Sequence, residues 1–393
     1  MMHREAVIVS SVRTPVGRCR GVLASVSAIE LGALVIREAV KRAGIKPEEI
    51  DEVIFGNLAN DDVENIARVA SLAAGLPYSV TGFTIDRQCS SSLNAIALAA
   101  VLIQAGYADT IVAGGVESDS NRPYIMERPK QAYQLAPPQW LTRYVAPGEL
   151  NVSMGITAEN LSEKYGITRE ECDLFALQSH QKAAIAVENH YFDEQIVPVP
   201  VCDKYGNITY IDKDECLRKD CNMEDLGKLK PVFKQGGVVT AGNSSPMSDG
   251  ASAVVVMDKE KAIREGHEIL AKFIGFAVTG CDPLIMGIGP VEAIKKALKQ
   301  TGLKMDDIDL IELNEAFASQ SIACIRELGL DMNKVNVNGG AIALGHPLAG
   351  TGGILTAKLI YELRRRKGRY GIVSFCMAGG QGAAAVFESI NEI

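Results

Sequence analysis

The chain has 393 residues, 47% hydrophobic and 22% charged, with a net charge of −8. That is enough apolar material for a large core in two or three domains of ordinary size. The acidic balance argues against a nucleic-acid binder, whose footprint is basic, but leaves room for an anionic cofactor, which needs only a local basic patch.

From the N-terminus, Met1 to Val9 reads directly into a strand, with no apolar segment of signal-peptide length. A helix–glycine–turn–strand unit follows over Arg37 to Phe55, with Gly44 closing the helix. A short strand over Gly82 to Ile85 leads to Cys89 and an apolar helix. The longest apolar run, Ala95 to Ile103, is too short to span a bilayer, so a cytoplasmic protein without a membrane segment is expected. The next strand is Thr110 to Ala113.

The segment from Asp119 to Val238 is rich in charge and holds the only tryptophan, Trp140, and a Pro137-Pro138 pair. Thr168 with Glu171 forms a capping-box pattern that opens a helix running to about His190. A segment of this length is an inserted subdomain rather than a loop. Its cysteines, Cys202, Cys216 and Cys221, have no CxxC spacing and no nearby histidine, so no metal site is expected. Nine scattered cysteines in a chain this long do not make a secreted disulfide framework.

A second helix–glycine–turn–strand unit spans Lys295 to Leu313, with Gly302 in place of Gly44. The offset between these glycines is 258 residues, which carries Cys89 to position 347, next to His346. Both Cys89 and His346 follow a short predicted strand, Gly82 to Ile85 and Val335 to Val337, and both precede an apolar helix. The second helix is predicted over Ile354 to Arg366, with Gly368 as its C′ residue and basic residues suited to its negative end. A strand over Tyr370 to Phe375 then mirrors Thr110 to Ala113. The pattern predicts an α/β fold of two pseudo-repeated halves. The N-terminal half covers 1–118 and is completed by about 239–268, the inserted loop domain covers 119–238, and the C-terminal half covers 269–393.

Four clusters lie at the ends of predicted strands, where open α/β sheets place their sites. Cys89 sits at a strand–helix junction, where exposed N–H groups and the helix dipole are expected to lower a thiol pKa. His346 is one of five histidines and lies in a run of glycines; Asn314 begins the segment to Phe317; and Cys376 enters a second glycine turn. A lone cysteine is more often a small buried residue than a nucleophile. A lone histidine among glycines could equally be structural, and the spacing of a phosphate or dinucleotide loop is absent. Together, two cysteines and a histidine would supply a nucleophile and two bases.

The motifs, in this order along the whole chain from Arg13 to Gly382, resemble those of the thiolases. The resemblance implies a five-layered α/β fold of two related halves with a loop domain, and a homodimer or homotetramer. It implies acyl transfer between a thioester and CoA, with acetyl-CoA, CoA and 3-ketoacyl-CoA as substrates and no permanently bound cofactor. Cys89 would carry the acyl group, His346 would take its proton, and Cys376 would serve as the second acid–base. Asn314 would hold a water that, with His346, stabilises an enolate oxygen. The N–H groups of Cys89 and Ala378 would form the other oxyanion hole. Arg218, Ser245 and Met286 match positions that touch CoA, and Met154 one near the acyl group. Three residues depart from the family pattern: Ser92 replaces a glycine, Ala378 replaces a glycine whose φ would be positive, and Ser153 replaces a histidine found in some biosynthetic members. Cys376 speaks against a ketosynthase-type condensing enzyme. The full set of candidate catalytic residues speaks against a silent thiolase-like binding protein.

Overall fold

The computed structural model describes residues 4–60, 62–126 and 145–390; Trp140 and the Pro137-Pro138 pair lie outside the described residues. The N-terminal half begins with β1 (Ala6–Arg13) and β2 (Gly17–Arg18). It continues through α1 (Ala28–Ala43), β3 (Glu52–Gly56), α2 (Ile66–Ala73), β4 (Thr81–Ile85), α3 (Ser91–Gln104) and β5 (Thr110–Ser118). Between β5 and the next strand of the same half come α4 (Met154–Tyr165), α5 (Arg169–Glu188), the β6–β7 hairpin (Val199–Cys202, Ile208–Ile211) and α6 (Met223–Lys228). β8 (Ser248–Asp258) and α7 (Lys259–Glu265) follow. The C-terminal half contains β9 (Ala271–Gly280), α8 (Gly289–Thr301), β10 (Ile308–Leu313), α9 (Ala318–Leu328) and α10 (Ala341–Leu344), then α11 (Thr351–Arg366), β11 (Tyr370–Met377) and β12 (Gln381–Ser389).

The main sheet runs β10-β11-β12-β9-β1-β8-β5-β3-β4, and β2 pairs with β8 off this path. The halves meet through a short antiparallel contact, Val7 with Lys272 and Ile8 with Ala271. On either side of it the order is the same: β1-β8-β5-β3 in one half corresponds to β9-β12-β11-β10 in the other. The repeated units close as the sequence predicts. Gly44 and Gly302 both adopt the left-handed conformation that ends their helices, with φ of 67° and 73°.

Three apolar clusters define the layers. One packs α1 and α2 on the outer face of the N-terminal strands, and another packs α8 and α9 on the outer face of the C-terminal strands. The third lies between the halves and contains α3 and α11 with strands from both. α3 is apolar on nearly all sides, Ala-rich and therefore thin, which suits a helix buried on every face. α11 carries a fully buried lysine into this layer. Lys358 donates to Glu312 at 2.7 Å and to the Gly339 carbonyl at 2.6 Å, so its charge is paired and hydrogen-bonded.

Three local expectations are corrected. The predicted strand over Val335 to Val337 is only a bridge between Val335 and Ile311. Asn336 turns left-handed (φ 44°), and its side-chain amide takes over the pairing, accepting from the Leu313 N–H at 2.9 Å and donating to the Leu313 carbonyl at 2.8 Å. α11 starts at Thr351, not Ile354, so Gly352 and Gly353 are helical rather than part of the turn. They are glycines because α11 crosses α3 at backbone contact: a Cβ on Gly352 would collide with the Leu93 backbone nitrogen. The left-handed residue after α11 is Lys367 (φ 58°), and Gly368 follows it, donating to Leu363. A Cβ on Gly368 would lie 3.0 Å from Leu363.

Gly352→Ala therefore forces the two central helices apart. Such overpacking costs about 1–3 kcal/mol. It should lower the denaturant midpoint of unfolding at unchanged m-value, while alanine at the exposed C-cap Gly44 should act only through its positive φ.

Candidate active site

Cys89 sits on a tight turn between β4 and α3. Gln88 is held left-handed (φ 49°), its N–H bonded to Asp86 at 2.7 Å. The Ser91 hydroxyl accepts from the Arg87 N–H at 2.8 Å and donates to the Gln88 carbonyl at 2.7 Å. Cys376 is buried near the C-terminal end of β11. Asn314 follows β10 and is stitched to the neighbouring strand, its N–H bonded to the Ser374 carbonyl at 2.9 Å. The turn after Cys376 is made by Gly379 and Gly380, with φ of 82° and 77°. Ala378 is not among the residues of positive φ, so the strain expected there does not arise.

These groups converge. The Cys89 sulfur is approached by its own N–H and by the N–H of Ala378, and it is close enough to Cys376 for its charge to raise that thiol's pKa. Asn314 Nδ2 lies 3.3 Å from His346 Nε2. Met154 and Met286 pack in one apolar cluster with Cys376 and Phe317.

Burial dominates the electrostatics. The Cys89 thiol is pushed up to about 12, chiefly by desolvation, with the nearby Glu117 and Asp86 charges adding to the rise. The two N–H groups pull in the opposite direction but do not prevail. This corrects the expectation of a lowered thiol pKa: the helix-terminus argument ignores the cost of a buried thiolate. Cys376 is raised well above the ordinary thiol value by the same desolvation. Burial lowers His346 to about 4. At neutral pH the resting site therefore holds two thiols and a neutral imidazole, and any thiolate must be made by proton transfer to a base.

The hydrogen bonds of His346 set its tautomer. Its Nδ1 lies 2.7 Å from the Thr351 hydroxyl, which itself donates to the Pro347 carbonyl at 2.9 Å. With its one proton committed, that oxygen accepts, so Nδ1 carries the hydrogen. Nε2 keeps its lone pair, facing the Asn314 amide. The Asn314 Oδ1 is buried without a protein partner, a position that suits a water.

The segment bearing His346 belongs to the C-terminal half but is gripped by side chains of the N-terminal half. Ser248 Oγ accepts from the His346 N–H (3.2 Å), and Glu117 from the Ala349 N–H (3.2 Å). Ser252 Oγ donates to the Gly350 carbonyl (2.7 Å), and Ser92 Oγ accepts from the Gly353 N–H (3.0 Å). Ser92, which departs from the family's glycine, thus bonds the first turn of α11, whose N-cap Gly350 has no side chain. Thr351, Glu117, Ser248 and Ser252 were not singled out by the sequence reading. A glutamate in the otherwise uncharged Thr110–Ser118 strand was the one available signal.

A cavity of about 1090 Å³ opens beside this centre, with Arg218 and Ser245 in its wall together with Arg18, Arg20 and Arg122. Cys89, His346 and Cys376 are not in that wall. Phe233 connects the two: it lines the cavity and meets Phe317 edge-on at a centroid distance of 6.2 Å. Ser245 donates to the Ala316 carbonyl at 3.1 Å, and the Arg218 N–H bonds to His180 Nδ1 at 3.3 Å. Ser153 caps α4, accepting from the Ile156 N–H. Of the four candidate CoA contacts, two face the open cavity and two, Met154 and Met286, belong to the apolar cluster further in. The arrangement offers a thiol, a neutral base and a second thiol beside two N–H donors, a set suited to acyl transfer.

Residues 6–260 match the family model described as thiolase, N-terminal domain, and residues 267–389 that described as thiolase, C-terminal domain. The chain is 47% identical to an acetyl-CoA acetyltransferase of Syntrophomonas wolfei, covering 99% of this chain and 100% of the relative. It is 48% identical to a 3-ketoacyl-CoA thiolase of Bacillus subtilis, covering 98% and 99%. The fold superposes on the crystal structure of the Bacillus anthracis acetyl-CoA acetyltransferase with a TM-score of 0.95, at 45% identity and 99% coverage of both chains. It superposes on human mitochondrial 3-ketoacyl-CoA thiolase in complex with CoA with a TM-score of 0.93, at 40% identity and 99% coverage of both chains.

The tautomer can be read directly. In ¹⁵N-labelled protein, His346 should show a protonated Nδ1 and a bare Nε2, with no titration between pH 5 and 8, because its pKa is depressed to about 4. Thr351→Val should mix the tautomers and Thr351→Ser should preserve them. A His346 that titrates near pH 6.5 would contradict the geometry.

Proposed function

The chain belongs to the thiolase family and is an acyltransferase of the acetyl-CoA acetyltransferase and 3-ketoacyl-CoA thiolase kind; from that premise we propose that Cys89, His346 and Cys376 carry its chemistry, with Asn314 and Ala378 assisting. The observation that carries this reading is the convergence of the Ala378 N–H and the Cys376 thiol on the Cys89 sulfur.

In thiolysis, the Cys89 sulfur attacks the 3-keto carbon as His346 Nε2 takes the thiol proton. The N–H groups of Cys89 and Ala378 stabilise the oxyanion. The C2–C3 bond breaks, and acetyl-CoA leaves as an enolate. Its oxygen is stabilised by protonated His346 and a water on Asn314. Cys376, a thiol at rest, donates the proton to C2. The resulting Cys376 thiolate then deprotonates incoming CoA, whose sulfur attacks the acyl group on Cys89. Cys89 leaves and recovers its proton from His346. Condensation runs through the same steps in reverse.

Arg218 and Ser245 are proposed to receive CoA at the open cavity, and Met286 and Met154 to line the passage inward. The arginine-bearing wall supports an anionic ligand in a protein of net negative charge. A homodimer or homotetramer is proposed as the working form. Among the described residues no strand pairs with the outer edge of β4, a half-exposed strand with Phe83 and Ile85 that runs directly into the Cys89 turn. No helix among the described residues is long and apolar enough to cross a membrane. Nine free cysteines fit a reducing compartment such as the cytoplasm.

The roles of the two cysteines separate by mutation. Cys376→Ala should still take an acetyl group from acetyl-CoA, because attack needs only Cys89 and His346. Its CoA-dependent cleavage of 3-ketoacyl-CoA should fall about a hundred- to ten-thousand-fold. A folded Cys376→Ala enzyme with turnover within a few-fold of wild type would refute the second acid–base role.

A further inference from the structure

Two residues past the Gly114-Gly115 pair of β5 stands Glu117, a carboxylate with no surface exposure on a strand whose nine residues are all buried. Its two oxygens serve different loops. Oε1 accepts from the Ala59 N–H at 2.9 Å, and Oε2 from the Ala349 N–H at 3.2 Å. The N–H of Leu58 adds a third donor. Ala349 is three residues beyond His346 and two before Thr351, the residue that holds the imidazole Nδ1.

The surroundings are built around this grip. Gly115 leaves room for the loop to lie on β5, since a Cβ there would collide with the Ala349 carbonyl. Leu58, Ala59 and Ala349 form a small apolar cluster of their own. The Asn60 side chain fixes the other loop to β5, donating to the Ser118 carbonyl and accepting from its N–H, both at 3.2 Å.

We propose that Glu117 is a positioning residue of the reaction: it docks the His346 loop of one half against the Cys89-bearing half. This rests on the reading of Cys89 as nucleophile and His346 as its base. One feature favours a charged carboxylate over a neutral amide. Only a carboxylate accepts on both oxygens, and both loops present donors. Burial and the nearby Asp119 push Glu117 itself up to about 7, against the three N–H donors that lower it, so the carboxylate is mostly ionised at pH 8.

Two rates on the same cysteine separate this role from simple packing. Acetylation of Cys89 by acetyl-CoA reads the positioned base; alkylation of Cys89 by iodoacetamide at pH 8 reads the thiolate fraction. In Glu117→Gln, the amide nitrogen faces one of the loop donors and the charge is gone. Acetylation should slow about tenfold to a hundredfold, the scale of a misplacement near 1 Å, while alkylation, which does not need the base, is not slowed. Glu117→Asp keeps the charge but cannot span both loops, so acetylation should slow while alkylation stays at the wild-type rate. A folded Glu117→Gln protein that acetylates within about twofold of wild type, or whose alkylation slows in step with acetylation, would overturn the proposal. If Glu117→Gln does not fold, Glu117→Asp decides, and wild-type acetylation in it overturns the proposal. A wild-type enzyme that is not acetylated on Cys89 would instead sink the underlying reading of the site, whatever the variants do.

Discussion

The site depends on how the segment from His346 to Gly353, part of the C-terminal half, is held by the N-terminal half. Ser248, Glu117, Ser252 and Ser92 contribute one buried hydrogen bond each to its backbone. Each is worth only about 0.5–1.5 kcal/mol net, but leaving such a buried group unpaired costs about 1–3 kcal/mol. The segment therefore has one well-satisfied docked position and few tolerable alternatives. The glycines at its end serve the same purpose, since Gly352 lets α11 reach backbone contact with α3. His346 and Cys89, far apart in sequence, thus each lie just before one of two helices that touch at their first turns.

That docking leaves His346 and Cys376 buried and Cys89 half-buried, and desolvation sets their resting charges. Desolvation raises both thiols and depresses the imidazole, so all three reacting groups start neutral. In the proposed mechanism, charge appears only when a proton moves from Cys89 to His346. At short range in such a medium, opposite charges attract by several kcal/mol even at an effective dielectric of 20. In the proposed mechanism, the N–H groups of Cys89 and Ala378, already directed at the sulfur, would need no reorganisation when an oxyanion forms beside it. Fixed donors do most where charge is transient.

The repeat was legible in the sequence because its parts have local chemical signatures. An amphipathic helix, a glycine able to take positive φ and a β-branched run specify helix–turn–strand without tertiary help, and Gly44 and Gly302 behave accordingly. Cys89, Asn314 and Cys376 lie close to strand ends, as their motifs suggested, whereas no strand precedes the His346 loop. What was hidden depends on contacts between distant segments. Asn336 ends the expected strand because its side chain out-competes a backbone ladder, which periodicity cannot reveal. The direction of the Cys89 shift follows from burial, which a helix-terminus rule does not include. Ala378 is unstrained because the positive φ moves on to Gly379 and Gly380. Thr351 and Glu117 carry no motif; only the folded chain shows that one fixes a tautomer and the other spans two loops.

The account stands on Cys89 as the residue that carries the acyl group. Incubation with acetyl-CoA, removal of free CoA and mapping of the adduct by mass spectrometry tests this directly. The predicted result is a single acetyl thioester on Cys89, lost on addition of CoA. Acetyl on another cysteine, with Cys89 unmodified, would contradict the account.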